Sequence, residues 1–159
     1  MNGRRGLSLV VGIVVGMLGL LAAGCGGQAG TPSAPVLDFP GAPALTVASA
    51  SGQLTIQIWW SPLQPTVGYD AAQLAITDAT GAPVTGLGLT VVPFMPAHGH
   101  GASVEPTITE TAPGVYVATP LDFFMAGNWE LMTAISRPAG DAGGAEAIDD
   151  SAEPTVEVP

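Results

Sequence analysis

The residues of this chain that could carry chemistry are concentrated in one short stretch, residues 95–101, which reads Met-Pro-Ala-His-Gly-His-Gly. The stretch contains both histidines of the chain, His98 and His100, and Met95 lies three residues before the first of them. On an extended backbone two such histidines project from the same side. Imidazole and thioether ligands without a thiolate favour copper among the biological metals, particularly Cu(I). The stretch therefore predicts a copper site formed by Met95, His98 and His100.

These histidines have two other interpretations. Exposed histidines in a glycine-rich loop can have no function, and the spacing alone leaves that alternative open. A hydrolytic centre would need Ser61 or Ser103 beside a histidine, but neither serine lies in a nucleophile-elbow motif. The paired carboxylates Asp149 and Asp150 lie in a segment that we expect to be flexible, which is unsuited to acid–base catalysis. We therefore expect no enzyme.

The charge balance excludes nucleic acid as a partner. The chain has three Lys and Arg residues against thirteen Asp and Glu residues. Two of the three are Arg4 and Arg5, so Arg137 is the one cationic side chain in the rest of the sequence. Nucleic-acid binding depends on Lys and Arg that neutralise phosphates. We therefore expect no nucleic acid to bind.

The first 25 residues have the three parts of a bacterial export signal. Arg4 and Arg5 precede an apolar run over Leu7–Ala23, and a small-residue site then leads to Cys25. Cys25 is the only cysteine, and its position after Ala-Ala-Gly resembles a lipobox. Residues 1–25 are thus predicted to be a lipoprotein signal peptide, with Cys25 lipidated and the protein held on the extracytoplasmic side of a membrane. An uncleaved anchor and a twin-arginine signal are the alternatives.

Composition divides the remainder of the chain. Residues 26–43 are rich in Gly, Ala, Pro, Ser and Thr, which is typical of a flexible linker. Residues 44–159 are predicted to form one domain, with an acidic loop or tail over 138–153 and a short edge strand over 155–158.

The central part of the chain alternates apolar and polar residues as half-buried strands do. Leu54, Ile56, Ile58 and Trp60 share one face of the segment 53–60. Similar segments lie at 72–78, 87–94, 104–110, 114–119 and 128–136, separated by turns rich in Gly and Pro. The predicted fold is an all-β, immunoglobulin-like antiparallel β-sandwich after the signal peptide and linker.

Four pieces of sequence, in their order and spacing, resemble the YtkA-like domain family, which is related to FixH-like proteins. They are Gly81–Val84, Met95–Gly101, Pro113–Tyr116 and Phe124–Leu131. The resemblance covers about residues 45–136 and implies an extracytoplasmic, membrane-attached β-sandwich. Its FixH-like relatives imply copper delivery to respiratory oxidases, and the family pattern implies Met125 as a further ligand.

These observations predict a monomeric, lipid-anchored protein of the cell envelope that binds copper and passes it to a copper-accepting protein. Met95, His98 and His100 would hold the ion, with Met125 as fourth ligand. The alternative is a non-catalytic interaction or envelope-structural module, in which the Gly-His loop shapes a turn and the pair Trp59-Trp60 packs or docks.

Overall fold

The computed structural model of the chain describes residues 36–140 and 146–159. The regular secondary structure of this part is entirely β-strand, and it confirms the predicted all-β sandwich. Its ten strands are β1 (Leu45–Ala48), β2 (Leu54–Ser61), β3 (Gly68–Asp78), β4 (Gly88–Met95), β5 (His100–Gly101), β6 (Thr107–Ala112), β7 (Val115–Phe123), β8 (Gly127–Arg137), β9 (Ile148–Ala152) and β10 (Thr155–Val158).

The described strands form two antiparallel sheets. The first sheet has the order β1-β2-β3-β7-β6, and the second has the order β10-β8-β4-β5. β9 also pairs with β8, so β9 and β10 follow one another along the same edge of that strand. The chain passes from the first sheet to the second twice, between β3 and β4 and between β7 and β8, and the second passage is the short connection 124–126.

The core lies between the two sheets and is built by the alternation seen in the sequence. Leu54, Ile56, Ile58 and Trp60 of β2 are all buried, as the period of two predicts. On β8 the inward Trp129, Leu131 and Ile135 are buried, whereas Met132 between them is 41% exposed on the outer face. Removing a large apolar side chain from water contributes roughly 1.5–3 kcal/mol to folding, so these alternating positions hold the sandwich together.

Most of the predicted strands are present with small shifts in their ends. The segments 53–60, 72–78, 87–94, 104–110, 114–119 and 128–136 correspond to β2, β3, β4, β6, β7 and β8, and 155–158 is β10. The sequence did not predict β1, β5 or β9.

The acidic segment 138–153 differs from its prediction as a loop or tail, because residues 148–152 form β9. This strand pairs with β8 from Ile148 opposite Arg137 to Ala152 opposite Thr133. Ala152 is buried, and Asp150 accepts hydrogen bonds from the backbone N–H and hydroxyl of Ser51. The pairing fixes residues 148–152 although their composition is that of a solvated tail.

The predicted signal peptide 1–25, its lipidated Cys25 and the linker as far as residue 35 lie outside the described residues. The rest of the linker, 36–43, runs beside β2 without forming a strand. The backbone N–H of Asp38 donates to Ser61 Oγ at 3.2 Å, and Trp59 Nε1 donates to the Gly41 carbonyl at 3.1 Å. Across 36–140 and 146–159, none of the structure is a helix of the length and apolarity that crossing a membrane requires.

Three connections between strands lie together at one end of the sandwich. β2, β4, β7 and β10 end there, and β3 and β8 begin there, since Gly68 pairs with Phe123 and Val158 pairs with Gly127. We call this end the tip and define it by three connections: residues 62–67, 96–99 and 124–126. The chain also arrives at the tip from its N-terminal side, because Gly41 contacts Trp59 near the end of β2.

Candidate metal centre

The two histidines lie on a tight hairpin at the tip, which connects β4 to β5. The carbonyl of Met95 accepts hydrogen bonds from the backbone N–H groups of His98 at 3.1 Å and Gly99 at 2.9 Å. Gly99 has a φ of +69°, a left-handed conformation that favours glycine. The chain then returns so that His100 pairs with Met95.

The imidazoles of His98 and His100 are both exposed and lie next to each other. Their ring centroids are 5.7 Å apart, and the ring planes are tilted by 41°. Metal–nitrogen bonds of about 2.0–2.1 Å place two imidazole centroids roughly 5 Å apart in a tetrahedral arrangement and roughly 6 Å apart in a linear one. The observed separation falls between these values and is compatible with one ion shared by both rings.

Met95 has a different environment from the histidines. It is 2% exposed and belongs to the hydrophobic core. As the cross-strand partner of His100, it leaves the same face of the sheet. Its Cε extends to the start of β8, where a Cβ added to Gly127 would lie 3.3 Å away. The thioether is thus covered by the core, beside the histidines in the fold but not on the same exposed surface.

The segment that contains Met125 meets the hairpin at the tip. The ring of Phe124 stacks on His100, with centroids 5.3 Å apart and planes inclined by 27°. Met125 itself is partly buried and packs against the core, and its carbonyl accepts a hydrogen bond from Trp129 Nε1 at 3.0 Å. The structure therefore brings together the two segments, 95–101 and 124–131, that the sequence separates by more than twenty residues.

Phe124 and Trp129 are parts of this arrangement that the sequence analysis did not assign to the site. Phe124 packs edge-on against Trp129 at 5.0 Å, and Trp129 packs edge-on against Phe123 at 5.5 Å. Such aromatic pairs contribute roughly 0.5–1.5 kcal/mol each beyond their buried area. The signal was available in Phe123-Phe124, because two consecutive aromatic residues at a strand end cannot both face the core. Phe124 is the one that faces outward, and it orients His100.

The Trp59-Trp60 pair of the alternative hypothesis does not form an exposed docking surface. Trp60 is 2% exposed and packs edge-on against Phe123. Trp59 is partly buried and is tied to the Gly41 carbonyl.

The donors available at the tip are two imidazoles, with the thioethers of Met95 and Met125 in the adjoining segments. In the part of the chain that the structure describes, no group of three or more His, Cys, Asp or Glu side chains is placed to hold a metal ion. Imidazole and thioether are the donor types that suit copper, and the exposed imidazoles fit it in chemistry and spacing.

Comparison with known proteins supports the resemblance seen in the sequence. No curated protein matches the chain. Among solved structures, a DUF4785 family protein from Legionella pneumophila is similar with a TM-score of 0.48 and 16% identity, and the match covers 67% of this chain and 29% of that one. The YtkA-like family model matches residues 49–134, which is more than half of the chain and includes the segments 95–101 and 124–131. The chain therefore belongs to the YtkA-like family.

Proposed function

We propose that this protein binds a single copper ion as cargo at the tip, between His98 and His100, and passes it to a copper-accepting protein outside the cytoplasm. The observation that carries the proposal is the pair of exposed imidazoles whose centroids lie 5.7 Å apart. That spacing lets one ion contact both rings, and imidazole is a ligand suited to copper.

The exposure of the site suits transfer of the ion better than its permanent retention. Both imidazoles stand on the surface of a two-stranded hairpin, so the ligands of an acceptor can approach the ion before either histidine releases it. Met125, partly buried beside Phe124, is the natural third ligand, and its thioether would strengthen the preference for Cu(I). Met95 would add a fourth ligand only after its buried sulfur is uncovered.

The proposed location rests on the N-terminal segment. We propose that Cys25 is lipidated and that the lipid holds the domain at the extracytoplasmic face of a membrane. The Cys25→Ser variant should then lose labelling by a fatty-acid probe and be released or misprocessed. Unchanged retention in the membrane would favour an uncleaved anchor instead.

Competition titration of the full chain in detergent with a Cu(I) chelator tests the metal site. We expect the wild type to bind with a Kd below about 1 µM, corresponding to about 8 kcal/mol. Replacing both histidines with alanine should weaken binding at least ~100-fold, which is about 2.8 kcal/mol. Because both side chains are exposed, this double variant should fold as the wild type does.

Two methionine variants provide the matched comparison. Met125→Ala should weaken Cu(I) binding roughly tenfold, or about 1.4 kcal/mol. Met132→Ala should leave it unchanged, since Met132 lies on the outer face of the second sheet, on a strand whose tip end is Gly127. Binding that is weaker than micromolar in the wild type, or that survives loss of both histidines, would refute the copper proposal and leave the interaction-module alternative.

A further inference from the structure

The exposed apolar side chains of the described residues are gathered at one end of the sandwich. Seven large hydrophobic residues are exposed in this part of the chain, and all but Met132 lie in or next to the tip. These six are Val36, Leu37, Leu63, Val67, Tyr69 and Phe124. Leu63 is 62% exposed and Tyr69 is 69% exposed. The concentration of exposed apolar side chains at one end indicates a binding surface.

The six side chains lie on the segments between the arriving chain and the histidine hairpin. Val36, Leu37 and Tyr69 line one groove together with Pro62, the neighbour of Leu63. Val67 precedes Gly68, which pairs with Phe123, and the next residue is Phe124. Phe124 in turn stacks on His100.

The three connections that define the tip are uncharged, although Asp38 and Glu157 border them. Residues 62–67, 96–99 and 124–126 contain no Asp, Glu, Lys or Arg. At the opposite end, one groove is lined by Asp78, Glu146, Asp149, Asp150 and Arg137. The apolar, uncharged connections of the tip therefore suit contact with a bilayer better than the acidic groove does.

The path of the chain indicates which surface covers the tip. The described chain begins at the tip with Val36, and the sequence before it contains the apolar run Leu7–Ala23. Thirteen residues lead from Ala23 to Val36 and eleven from Cys25 to Val36, and they extend at most about 45 Å and about 40 Å. A chain held in the membrane at either position therefore keeps Val36, at the tip, within that distance of the bilayer.

We propose that the tip docks on the lipid bilayer through Leu63, Val67, Tyr69 and Phe124, so that His98 and His100 lie at the membrane surface. This inference rests on the membrane attachment in the proposed function but not on its metal binding. It places copper transfer at the bilayer, where the acceptor must present its ligands close to the lipid headgroups. The acidic end faces the solution.

Fluorescence quenching of the full chain in metal-free vesicles tests the docking. The vesicles contain phosphatidylcholine and phosphatidylglycerol, with or without bromine on the acyl chains. Tryptophan is introduced in three separate variants, Leu63→Trp, Val67→Trp and Met132→Trp, all at exposed positions. The fluorescence of each introduced tryptophan is the emission of the variant minus that of the wild type. We expect brominated lipid to quench most of this fluorescence at positions 63 and 67 and to leave it unchanged at position 132. Equal quenching at the three positions, or none, would overturn the proposal.

Two further experiments separate membrane docking from copper binding and from docking on a protein partner. Replacing both histidines with alanine should leave the quenching at position 63 unchanged, so failure of the copper site and failure of membrane docking are distinguishable. Phe124→Trp reports the exposure of position 124. When Leu63→Gln and Val67→Gln are added to it, an aqueous quencher should reach position 124 in vesicles as fully as in the detergent-solubilised chain. If the tip is protected only in native membranes and not in pure lipid, a protein partner covers it and the bilayer proposal is wrong.

Discussion

The imidazole of His100 packs against an aromatic ring from another connection of the tip. Its imidazole is exposed, and Phe124 stacks on it at 5.3 Å while Trp129 supports Phe124 from within the core. A ligand side chain held by packing loses less conformational freedom when the metal binds, which favours affinity. The sequence identifies both histidines, but it does not show this support, because the stacking joins residues that are far apart in the chain.

Asp150 is a residue whose ionisation ties β9 to the rest of the fold. Burial raises the pKa of its carboxyl group, but hydrogen bonds from Ser49, Ser51 and Ser151 outweigh that effect and lower the pKa from 3.8 to about 2. A carboxyl with a lowered pKa stabilises the fold above its unfolded pKa, and the stabilisation is lost as the pH falls through the folded value. For Asp150 the loss falls between pH 3.8 and about 2.

The Asp150→Asn variant should therefore be less stable than the wild type at neutral pH and should approach it in stability as the pH falls to about 2. Urea denaturation across this pH range measures the difference. Asp149→Asn is the matched control, because Asp149 is exposed on the same strand. A constant difference between wild type and Asp150→Asn at every pH would show that the carboxylate is not the stabilising form.

At the scale of the elements, the strands that the sequence predicted are those with one buried face. β2 and β8 alternate buried and more exposed residues over their length, and this pattern is readable without a structure. β5 consists of two residues that pair only because the hairpin folds back on Met95. β9 reads Ile-Asp-Asp-Ser-Ala and buries little beyond Ala152. Its position is set by pairing with β8, which the sequence of β9 does not encode alone.

The turn between β6 and β7 requires glycine for both its conformation and its packing. Gly114 has a φ of +70°, and a Cβ there would lie 2.8 Å from Pro83 Cβ and 3.0 Å from the Ile76 carbonyl oxygen. The Gly114 carbonyl also accepts a hydrogen bond from the Ile76 backbone N–H at 2.8 Å. Gly81 has a similar φ of +83°, but no atom lies within 4 Å of an added Cβ.

We expect Gly114→Ala to destabilise the protein by about 3 kcal/mol or more, because strain and overlap add, and Gly81→Ala by only about 1–2 kcal/mol, from the left-handed conformation alone. The free energy of unfolding from urea titration of both variants measures the two costs. Equal losses would mean that the packing around Gly114 relaxes freely and that its close contacts are unimportant.

At the scale of the whole molecule, the sandwich exposes apolar side chains at one end and has an acidic groove at the other. The sequence showed the acidity and the apolar N-terminal segment separately. It did not show that the arriving chain, the histidine hairpin and six exposed apolar side chains share the tip, since that depends on strand direction and order. Phe124, which precedes Met125, stacks on His100 at this end. The sequence also did not show that Met95 is covered by the core, because an apolar residue at a strand end can face either way.

The central claim is that both imidazoles of the tip bind the same copper ion. X-ray absorption of the full chain loaded with Cu(I) tests this claim directly. We expect one bound ion per chain, with scattering from two imidazoles at a Cu–N distance of about 2.0 Å. That imidazole signal should disappear when His98 and His100 are both replaced by alanine and persist in Met132→Ala. A spectrum without imidazole scattering, or one unchanged by the double replacement, would contradict the account.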